Sequence, residues 1–337
     1  MELKVILKKL ISKNDLTSKE ATIVFEAITS GKLSEIAITA FLTALSTKKE
    51  SIIEITAATK VLRKKALRIR HKRNVIDTCG TGGDGKNTLN ISTATAILTS
   101  ACGLNVAKHG NKAVSSKSGS SDVLSELGVN IFASPKKVTK CLNEVGLCFL
   151  MAPIYHSAMK NVASVRSELK IKTIFNLLGP LLNPANADRQ LIGVYSKDLL
   201  MPIANCLKKL GIKKAWVVHG EDGLDEITIG GKTFAVEVKN NKTRRFTINP
   251  IHYGIKKAPL TKIRGKTANY NASAILNLFQ NKNSNKFFKN IVLINTAAVL
   301  VIADKVKDLR EGIKLAENHL NNGDALKKLE ELKNLTV

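Results

Sequence analysis

The run Asp77-Thr78-Cys79-Gly80-Thr81-Gly82-Gly83-Asp84-Gly85 restricts the fold of this chain more than any other segment. An apolar, strand-like stretch (Val75, Ile76) precedes it. Asn90-Ile91-Ser92-Thr93 then leads into a helix-like run from Ala94 to Cys102. A strand, a glycine-rich bend and a helix N-terminus in that order gather backbone N–H groups around an anion. Glycine lets the main chain approach a phosphate with no side chain between, and the two aspartates suit a phosphate-bound metal. The spacing is neither a Walker loop, which ends in Gly-Lys-Ser/Thr, nor a G-x-G-x-x-G dinucleotide fingerprint. Taken alone, the bend is equally compatible with a tight turn that binds nothing.

A second bend strengthens the binding reading. Lys108-His109-Gly110-Asn111 follows the apolar stretch Leu104 to Ala107, and Ser115-Ser116-Lys117-Ser118-Gly119-Ser120-Ser121-Asp122 opens a helix at Val123. Two small-residue bends at strand-to-helix junctions fit one polyanion held at the carboxyl ends of neighbouring parallel strands.

The rest of the chain supports an α/β fold, with a small all-helical domain and a larger domain built on a mostly parallel sheet flanked by helices. Leu3, Ile6, Leu7, Leu10 and Ile11 recur at helical spacing. Thr17-x-x-Glu20 is a capping-box pattern before Ala21 to Ile28, and 34–45 and 51–67 supply two further helices. From Val75 short apolar runs alternate with helical ones. Strands are predicted at 75–78, 105–108, 148–151, 190–194 and 215–219. Helices are expected to start near Ser92, Gly119, Pro135, Lys197 and Ala272. Ile291 to Ala303 is too long an apolar run for an ordinary strand and reads as a buried helix. Thr233 to Asn249 alternates around Asn240-Asn241 as a hairpin does. Helices over 304–320 and 324–335 finish the chain, and 155–184 is a helical interruption of the alternation.

An apolar content of 44% with only 4% aromatics suits aliphatic cores. Five cysteines without metal-ligand spacing, and no secretory leader, predict a reducing cytoplasm. No apolar run reaches the roughly 20 residues of a membrane span. The net charge of +26 admits nucleic acid as a partner, but the cations are mostly lysines spread along the chain. Their one dense cluster, Arg63 to Arg73, reads as a solvated helix end and linker.

The ordered blocks Gly80-Thr81-Gly82-Gly83-Asp84, Asn90-Ile91-Ser92-Thr93, Lys108-His109-Gly110-Asn111 and Ser116-Lys117-Ser118-Gly119-Ser120 resemble the anthranilate phosphoribosyltransferases. That family belongs to the class that includes pyrimidine nucleoside phosphorylases. His156 with Ala158-Met159-Lys160, Arg166, Thr173-Ile174-Phe175-Asn176-Leu177-Leu178-Gly179-Pro180, Asn183-Pro184 and Asp225-Glu226 match as well. The resemblance implies transfer of phosphoribosyl from phosphoribosyl pyrophosphate (PRPP) to the amine of anthranilate, with Mg2+. It implies a small domain of residues 1–70 joined by about 155–184, and a large domain of 71–154 and 185–337. The site would lie between them, in a homodimer formed through the N-terminal helices, with neither membrane nor nucleic acid as partner.

The resemblance also implies roles. Gly80, Gly83, Asp84, Thr88, Asn90, Ile91, Ser92 and Thr93 would hold PRPP from the first bend. Lys108, His109, Gly110, Asn111, Lys112, Ala113, Val114, Ser115, Ser116 and Ser120 would do so from the second. Ser92, Asp225 and Glu226 would be the metal ligands, and Gly80, Asn111 and Arg166 would hold anthranilate. Guanidinium binds a carboxylate in a bidentate fork, and Arg166 is the only arginine between Arg73 and Arg189. His156 is the one candidate for proton removal or ring binding. The chain departs from the family pattern at Lys112 and Lys172, where arginine is usual, and at Ser157, where proline is frequent. Two other readings are a pyrimidine nucleoside phosphorylase, opposed by the acidic pair and the Lys-His-Gly-Asn tetrad, and a non-catalytic nucleic-acid-binding relative, opposed by Arg166, Asn111 and Asp225-Glu226.

Overall fold

The computed structural model describes residues 3–71, 74–112, 117–282 and 284–337. Four helices come first: α1 (Leu3–Ile11), α2 (Ser18–Thr29), α3 (Glu35–Lys48) and α4 (Ile52–Lys65). Capping boxes start α2 at Thr17/Glu20 and α4 at Ser51/Glu54, each satisfying N–H groups that a helix start leaves unpaired. Then follow β1 (Ile76–Gly80), α5 (Ile91–Ala101), β2 (Val106–Gly110), α6 (Ser120–Glu126), α7 (Pro135–Glu144) and β3 (Leu147–Met151). The interrupting segment holds α8 (Ala152–Tyr155), α9 (Lys160–Leu169) and α10 (Phe175–Leu178). It breaks where Lys170 takes a left-handed φ of 50°. The chain resumes with β4 (Arg189–Gly193), α11 (Leu200–Lys209), β5 (Lys214–Gly220), β6 (Thr233–Lys239) and β7 (Lys242–Ile248). It closes with α12 (Ala268–Phe279), α13 (Lys286–Ile302), α14 (Leu309–Asn321) and α15 (Asp324–Thr336).

The strands form one sheet in the order β3-β2-β1-β4-β5-β6-β7, parallel through β5 and antiparallel beyond it. The order reverses between β1 and β4, the switch point where α/β sheets open a crevice at their carboxyl ends. Asn240 and Asn241, with φ of 50° and 56°, make the two-residue hairpin turn between β6 and β7.

One apolar core lies between one sheet face and helices that include α5, α13, α14 and α15. The other joins α11 and the opposite face to α1–α4, α9 and α10. Phe25 meets Phe41 and Phe175 edge-on at 5.5 and 6.4 Å, so the interrupting segment packs on the N-terminal helices. Asn161 Nδ2 donates to Thr29 O (3.0 Å) and Arg63 Nε to Leu181 O (2.6 Å). Arg63 is therefore half-buried and bonded rather than solvated, while Lys72 and Arg73 of its cluster lie outside the described residues.

Two further expectations shift. The helix expected over 304–320 begins only at Leu309, because Asp304 has φ 57° and Asp308 caps Glu311 N. The helix expected near Ala272 starts four residues earlier, where the Thr267 side chain caps Tyr270 N. Among the described residues no helix is long and apolar enough to cross a membrane.

Candidate active site

The first bend is shaped by glycine. Gly82, Gly83 and Gly85 have φ of 67°, 74° and 70°, a region that L side chains rarely adopt. The bend is hooked onto the end of β4, since Thr81 N donates to Gly193 O (2.9 Å) and Tyr195 N to Thr81 Oγ1 (3.1 Å). Thr88 bridges to Arg264 at the far end of this loop. At Gly80 a Cβ would lie 2.2 Å from Asp225 Oδ2, and at Gly193 1.4 Å from the Asp225 carbonyl oxygen. These two glycines make room for Asp225, the first of the acidic pair.

Strands β1 and β2 pair in register only at Ile76 and Val106. Beyond that point side chains bond the main chain where the strands part. The Asp77 carboxylate accepts from His109 N (3.3 Å), Asn183 Nδ2 donates to Ala107 O (2.8 Å) and Lys108 Nζ donates to Thr78 O (2.9 Å). Lys108, only 3% exposed, also reaches Ser92 Oγ at 3.3 Å. Burial pushes the Asp77 carboxyl above its usual range, opposed by Lys108. Burial pushes the Cys79 thiol well up, which makes it a poor nucleophile.

Ser92 lies in the first turn of α5. The side chain of Asn90 does not cap that helix; it donates to Ser118 O (3.3 Å) and accepts from Asn271 Nδ2 (2.8 Å). Helix α5 thus starts without a side-chain cap, and beyond Ile91 N, which donates to Leu89 O, its first turn has N–H groups of the kind that suit an anion. Ile91 is buried and apolar, so as a site residue it offers only main chain, whereas the buried Thr93 hydroxyl has no partner among the described residues.

Asp225 and Glu226 lie in an irregular loop after β5, yet each is only 8% exposed. Asp225 Oδ2 accepts from Gly82 N (2.8 Å), and Asp225 N donates to Asp84 Oδ2 (3.4 Å). Desolvation pushes both carboxyls up. Asp84 adds to this at Asp225, and Asp225 at Glu226, where Lys108 and Ser92 pull the other way. Like charges crowded out of water around hydroxyl and carboxylate oxygens are a donor set that fits a hard divalent cation. Among the described residues no three His, Cys, Asp or Glu side chains form a cage. Mg2+ needs none, since it binds through one or two carboxylates plus substrate phosphates and water.

The described part of the second bend is tied to the start of α5 through the bond from Asn90 to Ser118 O. Asn111 O accepts from Ser121 N (3.4 Å) and Ser120 Oγ (3.5 Å), and a Cβ at Gly110 would lie 2.2 Å from Ser120 Oγ. Asn111 and Lys112 are exposed; Ala113, Val114, Ser115 and Ser116 lie outside the described residues.

The opposite wall comes from the interrupting segment. His109 Nδ1 bonds Gly179 O (3.2 Å), and its ring meets His156 edge-on at 5.2 Å. Desolvation lowers His109 to about 3 and His156 to about 4, so both are neutral at ordinary pH. Arg166 lies with its guanidinium 5.6 Å from the Phe175 ring centre, and among the described residues no carboxylate pairs with it. Lys172 sits 3.6 Å from the Tyr195 ring centre and lines Gly83.

Gly193 was overlooked as part of this architecture, although a glycine ending a strand was the available signal. Asp77, expected with Asp84 to suit a metal, is instead fully buried and accepts from His109 N. Asn183, quoted only within a matching block, bonds the main chain of β2.

Residues 72–326 match the glycosyl transferase family a/b domain, and residues 4–66 the helical bundle domain of the same family. The anthranilate phosphoribosyltransferase of Thermoanaerobacter sp. (strain X514) is 50% identical over 327 residues, 97% of this chain and 96% of that protein. The Methanobrevibacter smithii protein of the same name is 44% identical over 97% of each. The crystal structure of the Thermus thermophilus anthranilate phosphoribosyltransferase superimposes with a TM-score of 0.92 at 39% identity, covering 98% of both chains. The Saccharomyces cerevisiae enzyme in complex with PRPP and Mg gives 0.91 at 31% identity, over 99% of this chain and 97% of that one. With both domains matched and such identity along its whole length, the chain belongs to the anthranilate phosphoribosyltransferase family.

Proposed function

We propose that this chain transfers the phosphoribosyl group of PRPP to the amine of anthranilate, giving N-(5-phosphoribosyl)anthranilate and pyrophosphate. The observation that carries the reading is the meeting of the glycine bend with Asp225, the first of the acidic pair, across the switch point, at glycines whose missing Cβ leaves the space. Breaking the anomeric bond builds negative charge on pyrophosphate and positive charge on the sugar, so positioning and electrostatics carry the rate.

In this reading the main chain of the bend and of the α5 N-terminus binds phosphate oxygens. Gly80, Gly83, Asp84, Thr88, Asn90, Ile91, Ser92, Thr93, Lys108, His109, Gly110, Asn111, Lys112, Ala113, Val114, Ser115, Ser116 and Ser120 form the PRPP site. Lys108 is held there as a buried cation. Asp225, Glu226 and Ser92 hold Mg2+, which when bound neutralises the departing pyrophosphate. Arg166 holds the anthranilate carboxylate, while Asn111 and the Gly80 main chain orient the amine. Neutral His156 orients the aromatic ring or takes up the proton; the new anilinium is itself a strong acid and otherwise passes that proton to water.

The reading includes a small domain of residues 1–70 and 155–184, supported by the shared aromatic packing of Phe25, Phe41 and Phe175. It also includes a homodimer through α1 and α3, which expose Val5, Ile11 and Ile36, and a reducing cytoplasmic setting, which the five free cysteines suit.

The test is purified protein with MgCl2, PRPP and anthranilate. Loss of anthranilate fluorescence that depends on all three components is expected. No turnover together with salt-sensitive DNA binding would overturn the reading in favour of a nucleic-acid-binding protein.

A further inference from the structure

The loop carrying Asp225 and Glu226 has no regular secondary structure, yet residues 224–229 are all buried. Its ends are held by local bonds, Gly220 N donating to Leu224 O and Thr228 Oγ1 to Asp222 Oδ2, while its middle rests on other segments. On one side the Asp225 main chain is wedged against Gly80 and Gly193. On the other side stands Asn295, a fully buried amide in the middle of the apolar helix α13. Its Oδ1 accepts from Ile227 N (3.0 Å), and its Nδ2 donates to Ile227 O (2.8 Å) and to Ile291 O of its own helix (2.8 Å). The amide thus engages both main-chain groups of Ile227, as a neighbouring strand would. It leaves none of its own polar atoms unpaired, which is the condition for an amide to persist in an apolar core.

We propose that Asn295 is a positioning residue for the acidic pair: by clamping Ile227 it fixes the direction of the Asp225 and Glu226 carboxylates, and so sets the affinity for metal pyrophosphate. This rests on the metal-binding role of the pair proposed above. Asn295 is too deep to touch substrate, so its effect passes through the loop. Groups that orient metal-binding side chains typically change metal affinity by about 10–100-fold when removed.

The test titrates the full-length protein with manganese pyrophosphate, following water-proton relaxation. Asn295→Leu, apolar and of similar volume, is expected to weaken binding by about 10-fold or more. Its KM for PRPP should rise, with that for anthranilate little changed. Asn295→Ala removes the same amide without adding charge or bulk, and serves as the second variant if the leucine protein does not fold. Leu207→Ala, a fully buried change on α11 in the other apolar core, should lower thermal stability while leaving manganese binding at the parent level. Parent affinity in both Asn295 variants, or an equal loss in Leu207→Ala, overturns the proposal. The double variant Asp225→Asn/Glu226→Gln separates the two readings. If it binds manganese pyrophosphate as the parent does, the metal assignment itself falls. If it loses binding while the Asn295 variants keep it, only the positioning role falls.

Discussion

Gly80→Ala tests the central geometry with one methyl group. A Cβ there would stand 2.2 Å from Asp225 Oδ2, 2.7 Å from its Cγ and 3.2 Å from its carbonyl oxygen. Ordinary contact begins near 3.4 Å, so the carboxylate must withdraw by about 1 Å. The main chain cannot carry the whole movement, because Asp225 O already rests against Gly193. The side chain must instead rotate, which breaks its bond from Gly82 N. A lost hydrogen bond to a charged group is worth about 1.5–3 kcal/mol. A misplacement of about 1 Å near reacting groups reaches a rate loss of about 10²-fold. The two figures describe one event and agree, since about 10²-fold corresponds to about 2.7 kcal/mol. The expected outcome is a fall of about 10²-fold in kcat/KM for PRPP at fixed Mg2+, read by loss of anthranilate fluorescence. Gly211→Ala is the control: its φ of 77° makes alanine strained, but nothing lies within 4 Å. It should lower stability by about 1–2 kcal/mol and leave the kinetics unchanged. Parent kinetics in Gly80→Ala, or equal kinetic losses in both variants, would refute the reasoning.

Arg166→Ala should raise the KM for anthranilate by about 10–100-fold, the worth of a charge-assisted bidentate contact, with the KM for PRPP nearly unchanged. Arg166→Lys should not restore it, because an ammonium lacks the planar fork; equal effects on both substrates would contradict the role. His156 makes a pH prediction. Its imidazole is lowered from the ordinary 6.5 to about 4 by burial, so the folded chain binds fewer protons than the unfolded one between those values. Its contribution is fully present above pH 6.5 and falls as the solution is acidified towards pH 4, by roughly 2 kcal/mol at pH 5. Urea unfolding at pH 7 and pH 5 should show a smaller acid loss in His156→Gln than in the parent; an identical loss would show that His156 is not what titrates.

The parts of the fold that were legible in the sequence are those decided by neighbours along the chain. Strands at the five expected places, the Asn240-Asn241 turn and the capping box at Thr17 all follow from side-chain period, left-handed tolerance or bonds spanning three residues. The errors have the same origin. The apparent helix from 304 fails because one aspartate takes a left-handed φ and another makes a better cap four residues later. Arg63 read as solvated because its partner, Leu181 O, is 118 residues away.

Sequence alone determined the glycine bends, the helix that follows each, and the presence of an acidic pair beyond the fifth strand. Tertiary structure decided what those pieces meet. The bond from Gly82 to Asp225 spans 143 residues, that from Ile227 to Asn295 spans 68, and the closeness of Asp225 to both Gly80 and Gly193 depends on β4 lying beside β1. The physical reason is that buried charge and buried main chain must find partners at once. Which segments can serve is set by strand order in the sheet, a property that no local propensity encodes.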